Sequence, residues 1–389
     1  MGHLVRCKEI ISSLVKEFEV CFVSGGQAVP GFQLPPEAEV VYLPAIWQQG
    51  ADLLPVDPTL SLAVVKAQRT ELLLAVFDRF QPDCLITECF PFSKMSMKYE
   101  LNPLLKRAKE SARPVKILCS LRDLIMTQPL FAGAKERREA KVCRLINRFY
   151  DAVLFHSDAG FQRLEDCFSR VSDLNCEIFY TGYVAQSAPA EQSPTPDDIA
   201  GLSNPLPSIV ASAGGGRHGY PLLSAIIAAS PRLGNVLPHH IYVFAGPFMP
   251  DADFAQLQQA AAGRPNVTLR RYTSLLLNYL KKADLSVSLG GYNTTMNLLR
   301  TGVPSLIFPS PNLSQTDEQR LRAEKLANLG VVDLLTPEEL APETLTQIIQ
   351  ATLERQSFTA HQINLQGADN TANYIQKLLS VEALLTQAV

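Results

Sequence analysis

Two glycine-bearing turns carry the chemistry that this 389-residue sequence is equipped to do. The first follows an apolar run, Ser208–Ala213, and reads Gly214-Gly215-Gly216-Arg217-His218-Gly219 before a helical pattern that starts past Pro221. Glycine lets the backbone approach a ligand closely, and the start of the following helix presents free N–H groups with a partial positive charge, so the pair is an anion site. Arg217 can add a bidentate phosphate contact. The spacing also satisfies G-x-G-x-x-G, the dinucleotide fingerprint. That reading fails at the next strand, Ile241–Ala245, which ends without the Asp or Glu that an NAD ribose requires. A merely tight strand-to-helix turn explains this loop taken alone.

The second turn weakens the plain explanation. Leu285–Ser288 leads into Leu289-Gly290-Gly291-Tyr292-Asn293-Thr294-Thr295, again strand, glycines and helix, with Asn293 or Thr294 expected to cap the helix and donate to phosphate. Two such turns at one end of a parallel sheet grip one diphosphate from both sides. Neither runs on into Gly-Lys-Ser/Thr, which argues against nucleoside triphosphate hydrolysis. Further on, Asp317-Glu318-Gln319 opens a helical pattern. Its carboxylate and amide groups suit the hydroxyls of a sugar or, more simply, cap their own helix. No metal site and no cofactor is expected, because two helix starts already supply positive potential.

The elements that hold these turns belong to a packed protein. Apolar residues make up 47% and charged residues 19%, a globular balance. The length exceeds the roughly 250–300 residues at which one core stops growing, so two domains are expected. No apolar run nears the roughly 18 residues of a membrane span, and Met1–Arg6 has no leader pattern, so a cytoplasmic location is expected. Eight cysteines, all before residue 177 and none in a Cys-x-x-Cys pair, suit free thiols in a reducing compartment.

A net charge of −3 argues against a nucleic-acid partner. The total hides a basic segment, since Pro91–Tyr150 holds 14 Lys/Arg against 5 Asp/Glu. Within it Arg137, Lys141, Arg144 and Arg148 recur at helical spacing, and Val142, Leu145, Ile146 and Phe149 mark the stripe to be buried. A solvated helix face is the plain reading. The sharper one is a surface for a phosphorylated substrate or for anionic lipid, which makes the protein peripheral at the inner membrane face.

Short apolar runs alternate with helical patterns from end to end, as in parallel α/β sheets. Strands are expected at 19–24, 40–45, 84–87, 115–120, 152–156 and 178–181, with helices at 58–80, 95–111 and 134–149. The later strands are expected at 208–213, 241–245, 267–271, 285–288, 305–308 and 331–335. Residues 185–207, with five prolines among Ser, Ala and Gln, read as an extended linker. This gives an N-terminal domain 1–184, a C-terminal domain 208–369 and a last helix 370–389. The first domain opens with a helical pattern, His3–Lys16, where a doubly wound domain begins with a strand. Either that strand is lacking or the start is late.

Several of these residues form a recognisable series. Gly-Gly-Tyr-Asn-Thr-Thr, then Gly302-x-Pro304, Pro309, Asp317-Glu318-Gln319-x-x-Arg-Ala and Gly330, resembles the C-terminal half of GT-B glycosyltransferases related to the enzyme that adds N-acetylglucosamine to lipid I. Gly2-His3-Leu4-Val5-Arg6 resembles the end of that group's first glycine-rich loop. Glu88-Cys89-Phe90-Pro91-Phe92, with Glu100-Leu101 and Pro103-Leu104-Leu105, is similar to a narrower subgroup of glycosyltransferases.

The resemblance implies two Rossmann-like, doubly wound parallel-sheet domains facing a cleft, and an inverting, metal-independent hexosyl transfer from a UDP-linked sugar. Donor contacts then fall to Gly214, Gly215, Gly216, Arg217, Gly290, Gly291, Tyr292, Asn293, Thr294, Thr295, Asn297, Glu318 and Gln319. Glu88, Phe92 and Arg122 become acceptor-side candidates and His3 the base, with a lipid-linked or phosphorylated acceptor. Where the family binds ribose through a glutamate, alignment on Gly291 puts Asn297, a weaker partner for hydroxyls. The competing readings are a nucleotide-sugar epimerase or hydrolase on the same fold, and a non-catalytic nucleotide-sugar-binding protein.

Overall fold

The computed structural model describes residues 2–27, 29, 32–49, 52–124, 133–187, 194–309, 316–355 and 359–387. Contacts divide the chain into an N-terminal unit, Cys7–Val184 with Ile363–Val389, and a C-terminal unit, Met1–Arg6 with Ala185–Gln362.

The chain opens with α1 (Gly2–Leu14), β1 (Cys21–Ser24), β2 (Glu39–Tyr42), β3 (Ile46–Gln49), β4 (Asp52–Pro55), α2 (Leu62–Phe80) and β5 (Cys84–Glu88). It continues through α3 (Lys98–Lys109), β6 (Lys116–Arg122), α4 (Ala134–Phe149), β7 (Ala152–His156) and β8 (Glu177–Tyr180). Strands β5-β6-β7-β8 lie side by side and parallel, β1 and β2 form a separate parallel pair, and β3 with β4 is an antiparallel hairpin. Ile117–Leu121 and Ala152–His156 are buried throughout, as strands covered on both faces must be. Helix α4 turns Val142, Cys143, Ile146 and Phe149 inward and leaves Lys135, Arg137, Arg144 and Arg148 exposed.

The β3–β4 hairpin was not expected. Its strands are four residues each, too short for a period to show, and Trp47 on β3 is 48% exposed. What holds it is a small cluster of Ile46, Leu53 and Val65. Nearby, the buried Arg69 guanidinium donates to both oxygens of Glu100 at 2.8 Å, and to the carbonyls of Gly25 and Pro44 at 2.8 and 2.7 Å. One fully partnered cation thereby ties the turns after β1 and β2 to α3.

The C-terminal unit contains α5 (Pro196–Ser203), β9 (Ser208–Ser212), α6 (Tyr220–Val236), β10 (His240–Phe244), α7 (Asp251–Ala261), β11 (Val267–Arg270) and α8 (Leu276–Lys282). Then come β12 (Leu285–Leu289), α9 (Tyr292–Thr301), β13 (Ser305–Phe308), α10 (Thr316–Asn328), β14 (Asp333–Leu334) and α11 (Pro342–Glu354). Its strands are parallel in the order β11-β10-β9-β12-β13-β14. That is the doubly wound order 3-2-1-4-5-6, and it reverses direction between β9 and β12. The closing helix, α12 (Gly367–Gln387), packs Ala372 and Ile375 with Ile10, Leu14, Leu118 and Leu154 of the N-terminal unit.

Two boundaries differ from expectation. The return to the N-terminal unit begins at Ile363, ahead of residue 370. The segment read as an extended linker contains α5, because Pro196 takes the first helical turn and Thr195 with Asp198 forms a reciprocal cap. Asp198 also accepts from Arg270 at 2.6 Å and Thr273 at 3.0 Å, which anchors α5 to the sheet. Residues 188–193 of that segment lie outside the described residues.

Candidate functional site

In sheets of this order ligands sit past the carboxyl ends of the strands where the order reverses. Both glycine turns leave the sheet at that point, one after β9 and one after β12. Gly214 has φ +57° and Gly216 φ +95°, a region that glycine enters without a Cβ penalty. A Cβ on Gly216 would lie 2.4 Å from the Ala245 carbonyl oxygen, and one on Gly246 2.5 Å from that of Gly214. The turn after β9 is therefore clasped to the turn after β10, where the Phe248 N–H donates to the Gly215 carbonyl at 2.9 Å. On its other side a Cβ on Gly214 would lie 3.1 Å from Thr294 Oγ1. The starts of α6 and α9 thus border one space.

Helix α9 is capped by Gly291, which has no side chain to bond the first turn. This corrects the expectation for Asn293 and Thr294, which lie within the helix. The backbone N–H groups of Asn293 and Thr294, which lie in the first turn, receive no bond from a capping side chain and can serve a ligand. Gly290 backs the turn from below: a Cβ there would meet Ile307 at 3.1 Å and Gln319 Cβ at 3.7 Å. Thr294 and Thr295 are buried, and Tyr292 has the Arg322 guanidinium 5.2 Å from its ring centroid. Arg217 is exposed and reaches over the Phe248 ring at 5.7 Å, so it can turn toward a phosphate without breaking an ion pair.

Deeper in α9, Asn297 is 2% exposed. Its Nδ2 donates to Gln186 Oε1 at 2.9 Å, and its Oδ1 has no hydrogen-bond partner among the described residues. Gln319 Oε1 is buried in the same condition. Buried acceptors without donors are rare, and a hydroxyl-bearing ligand is one kind of group that can satisfy them. Glu318 departs from expectation, because Arg322, 1% exposed, donates to it at 2.6 Å. Its carboxylate holds α10 together and leaves Gln319 as the member of the motif with an open acceptor. The side chain of Asp317 lies outside the described residues.

In the N-terminal unit, Glu88 and Arg122 end β5 and β6, the edge where ligands bind such sheets. Phe92 does not join them; it is 1% exposed and edge-packed on Phe168 at 5.1 Å. His3 lies in the first turn of α1, so Gly2–Arg6 is helical here and not a loop. A buried polar chain went unread in the sequence: His156 contacts Ser120 Oγ at 2.7 Å through Nε2 and Thr181 Oγ1 at 2.9 Å through Nδ1. Asp251 and Asp253 carry an Asp-x-Asp spacing that was also passed over. They open α7, where Asp251 pairs with Arg271.

The fold and the donor-side geometry define an α/β protein of GT-B architecture with Rossmann-like units. Residues 214–378 match the family described as Glycosyltransferase family 28 C-terminal domain. The UDP-N-acetylglucosamine–N-acetylmuramyl-(pentapeptide) pyrophosphoryl-undecaprenol N-acetylglucosamine transferase 1 of Bacillus cereus is 28% identical over 235 residues, 58% of this chain and 61% of that one. The NDP-glycosyltransferase YjiC of Bacillus subtilis is 32% identical over 126 residues, 31% of each chain. The chain thus spans 31% to 61% of the length of these relatives. Among solved structures, MurG of Acinetobacter baumannii superposes with a TM-score of 0.59 at 16% identity, covering 97% of this chain and 96% of that one. A Listeria monocytogenes structure assigned as a UDP-N-acetylglucosamine 2-epimerase gives 0.61 at 14% identity, covering 99% and 94%.

Proposed function

We propose that this protein is a glycosyltransferase that moves a sugar from a UDP-linked donor, held by the C-terminal unit, to a lipid-linked or phosphorylated acceptor. The observation that carries the reading is the meeting of two helix starts at the strand-order reversal, with Gly214 against Thr294. A departing diphosphate gains charge in the transition state, and preorganised N–H donors at α6 and α9 stabilise that charge, with Arg217 adding a guanidinium. These donors let the reaction proceed without a metal, the resemblance to GT-B transferases implies inversion, and His3 takes the proton from the acceptor hydroxyl. Asn297 Oδ1 accepts from a ribose hydroxyl and Gln319 Oε1 from the sugar, which supplies the donors that both atoms lack. Glu88 and Arg122 face the acceptor.

Among the described residues no helix is long and apolar enough to cross a membrane. A lipid-linked acceptor is reached by peripheral contact, for which the cationic face of α4 is the candidate surface. The test is to incubate the protein with UDP-N-acetylglucosamine and a membrane extract in EDTA and follow UDP release together with sugar transfer. Transfer that needs the extract and survives EDTA supports the reading. Free sugar or an isomer formed without extract would instead mean a hydrolase or epimerase, the reading to which the fold of the Listeria structure lends support.

A further inference from the structure

The outer face of α4 borders an open cavity of about 650 Å³ whose lining includes Cys143, Arg144, Asn147, Arg148, Arg170 and Asp173. Three guanidinium groups from two segments of the N-terminal unit therefore face one volume. Only one of them is matched: Arg170 donates to Asp173 at 2.6 Å and consumes the carboxylate in the lining. The buried carboxylate of the same helix, Glu139, is taken by the Ser169 hydroxyl and lies 3.8 Å from Lys135. Arg144 and Arg148 are exposed and form no ion pair among the described residues.

Their spacing sharpens the point. Arg144 and Arg148 stand four residues apart on one helix, an arrangement that like charges destabilise. Lys141 and Arg137 continue the same face, and among the described residues no ion pair matches this row of cations. The wall opposite is fixed: Asn147 Nδ2 donates to the Asp173 carbonyl at 2.7 Å, and the Asn175 N–H donates to Asn147 Oδ1 at 2.9 Å. These bonds hold the 170–175 segment against α4 and set the width of the cavity. An open, cation-lined cavity with one fixed wall suits an anion with several acceptor oxygens, which arginine binds through paired N–H groups.

We infer that the cavity between α4 and residues 170–173 is a phosphate-binding site, separate from the donor turns, that takes either a soluble phosphate compound or the phosphate of a lipid headgroup. The inference does not depend on the transferase reading.

Hydrogen exchange of the full-length protein, with pyrophosphate or with vesicles of phosphatidylcholine alone or mixed with phosphatidylglycerol, separates the possibilities. Slowed exchange over 140–148 and 170–176 with pyrophosphate supports the site and assigns it to soluble phosphate. The same slowing only on phosphatidylglycerol vesicles supports the site and assigns it to headgroups. In either case Arg144→Gln/Arg148→Gln should raise the concentration needed about tenfold or more, given what a hydrogen bond to a charged group contributes. Arg144→Lys/Arg148→Lys, which keeps the charge but not the paired N–H groups, should recover only part of the effect. No slowing with either probe, or slowing that the Gln pair leaves unchanged, overturns the inference. Peptides covering 213–219 and 290–297 report the donor turns in the same experiment, so failure at one site is distinguished from failure at the other.

Discussion

A β-carbon placed on Gly214 would lie 3.1 Å from the hydroxyl oxygen of Thr294. The two residues come from different turns, and their closeness sets the turn before α6 against the first turn of α9. Gly214→Ala adds both the atom and a left-handed backbone cost, since φ is +57°. A stability loss of about 1–2 kcal/mol is expected, with a parallel loss of nucleoside diphosphate affinity. Gly263→Ala is the control. Its φ is +73° but nothing lies within 4 Å of the added atom, so it should lower the melting temperature and leave binding alone.

Asn297 gives a finer test. Asn297→Ala should weaken UDP binding by about 0.5–1.5 kcal/mol, the worth of one neutral hydrogen bond. It should leave the binding of 2′,3′-dideoxy-UDP unchanged, because that ligand has no ribose hydroxyl to donate. Equal weakening of both ligands would move Asn297 away from the ribose.

The anchor of α5 sets an acid limit on the C-terminal unit. Burial alone pushes the Asp198 carboxyl up, but hydrogen bonds from Arg270, Thr195 and Thr273 outweigh it and hold its pKa at about 2. A carboxyl whose folded pKa lies below its ordinary 3.8 stabilises the fold fully above that value and progressively less as pH falls toward 2. About 2 kcal/mol should be lost across that window. Asp198→Asn should cost about 3 kcal/mol at neutral pH, because it leaves the Arg270 charge without its carboxylate, and should flatten the acid limb of a urea midpoint against pH.

Much of this architecture was legible because parallel strands buried on both faces must be continuous apolar runs. Ala152–His156 and Ser305–Phe308 declared themselves that way, and α4 through its amphipathic period. The glycine turns were legible because left-handed backbone at 214 and 216 needs glycine. What stayed hidden depended on partners distant in sequence. Glu318 looked available until Arg322 was seen to hold it, and Phe92 looked like a site residue until Phe168 was seen packed on it. Gln186, which orients Asn297 across 111 residues, sits in a proline-rich stretch that gave no sign of a role. The helix α5 was masked by the same prolines, although Pro196 in a first turn favours a helix.

The central claim is that one nucleoside diphosphate is held by the turns after β9 and β12, and calorimetric titration of the protein with UDP in EDTA tests it most directly. Binding at these turns is predicted, weakened by about 1.5–3 kcal/mol in Arg217→Ala and unaffected by Arg144→Gln/Arg148→Gln. Absence of binding, or the same affinity in the parent, Arg217→Ala and Gly214→Ala, would contradict it.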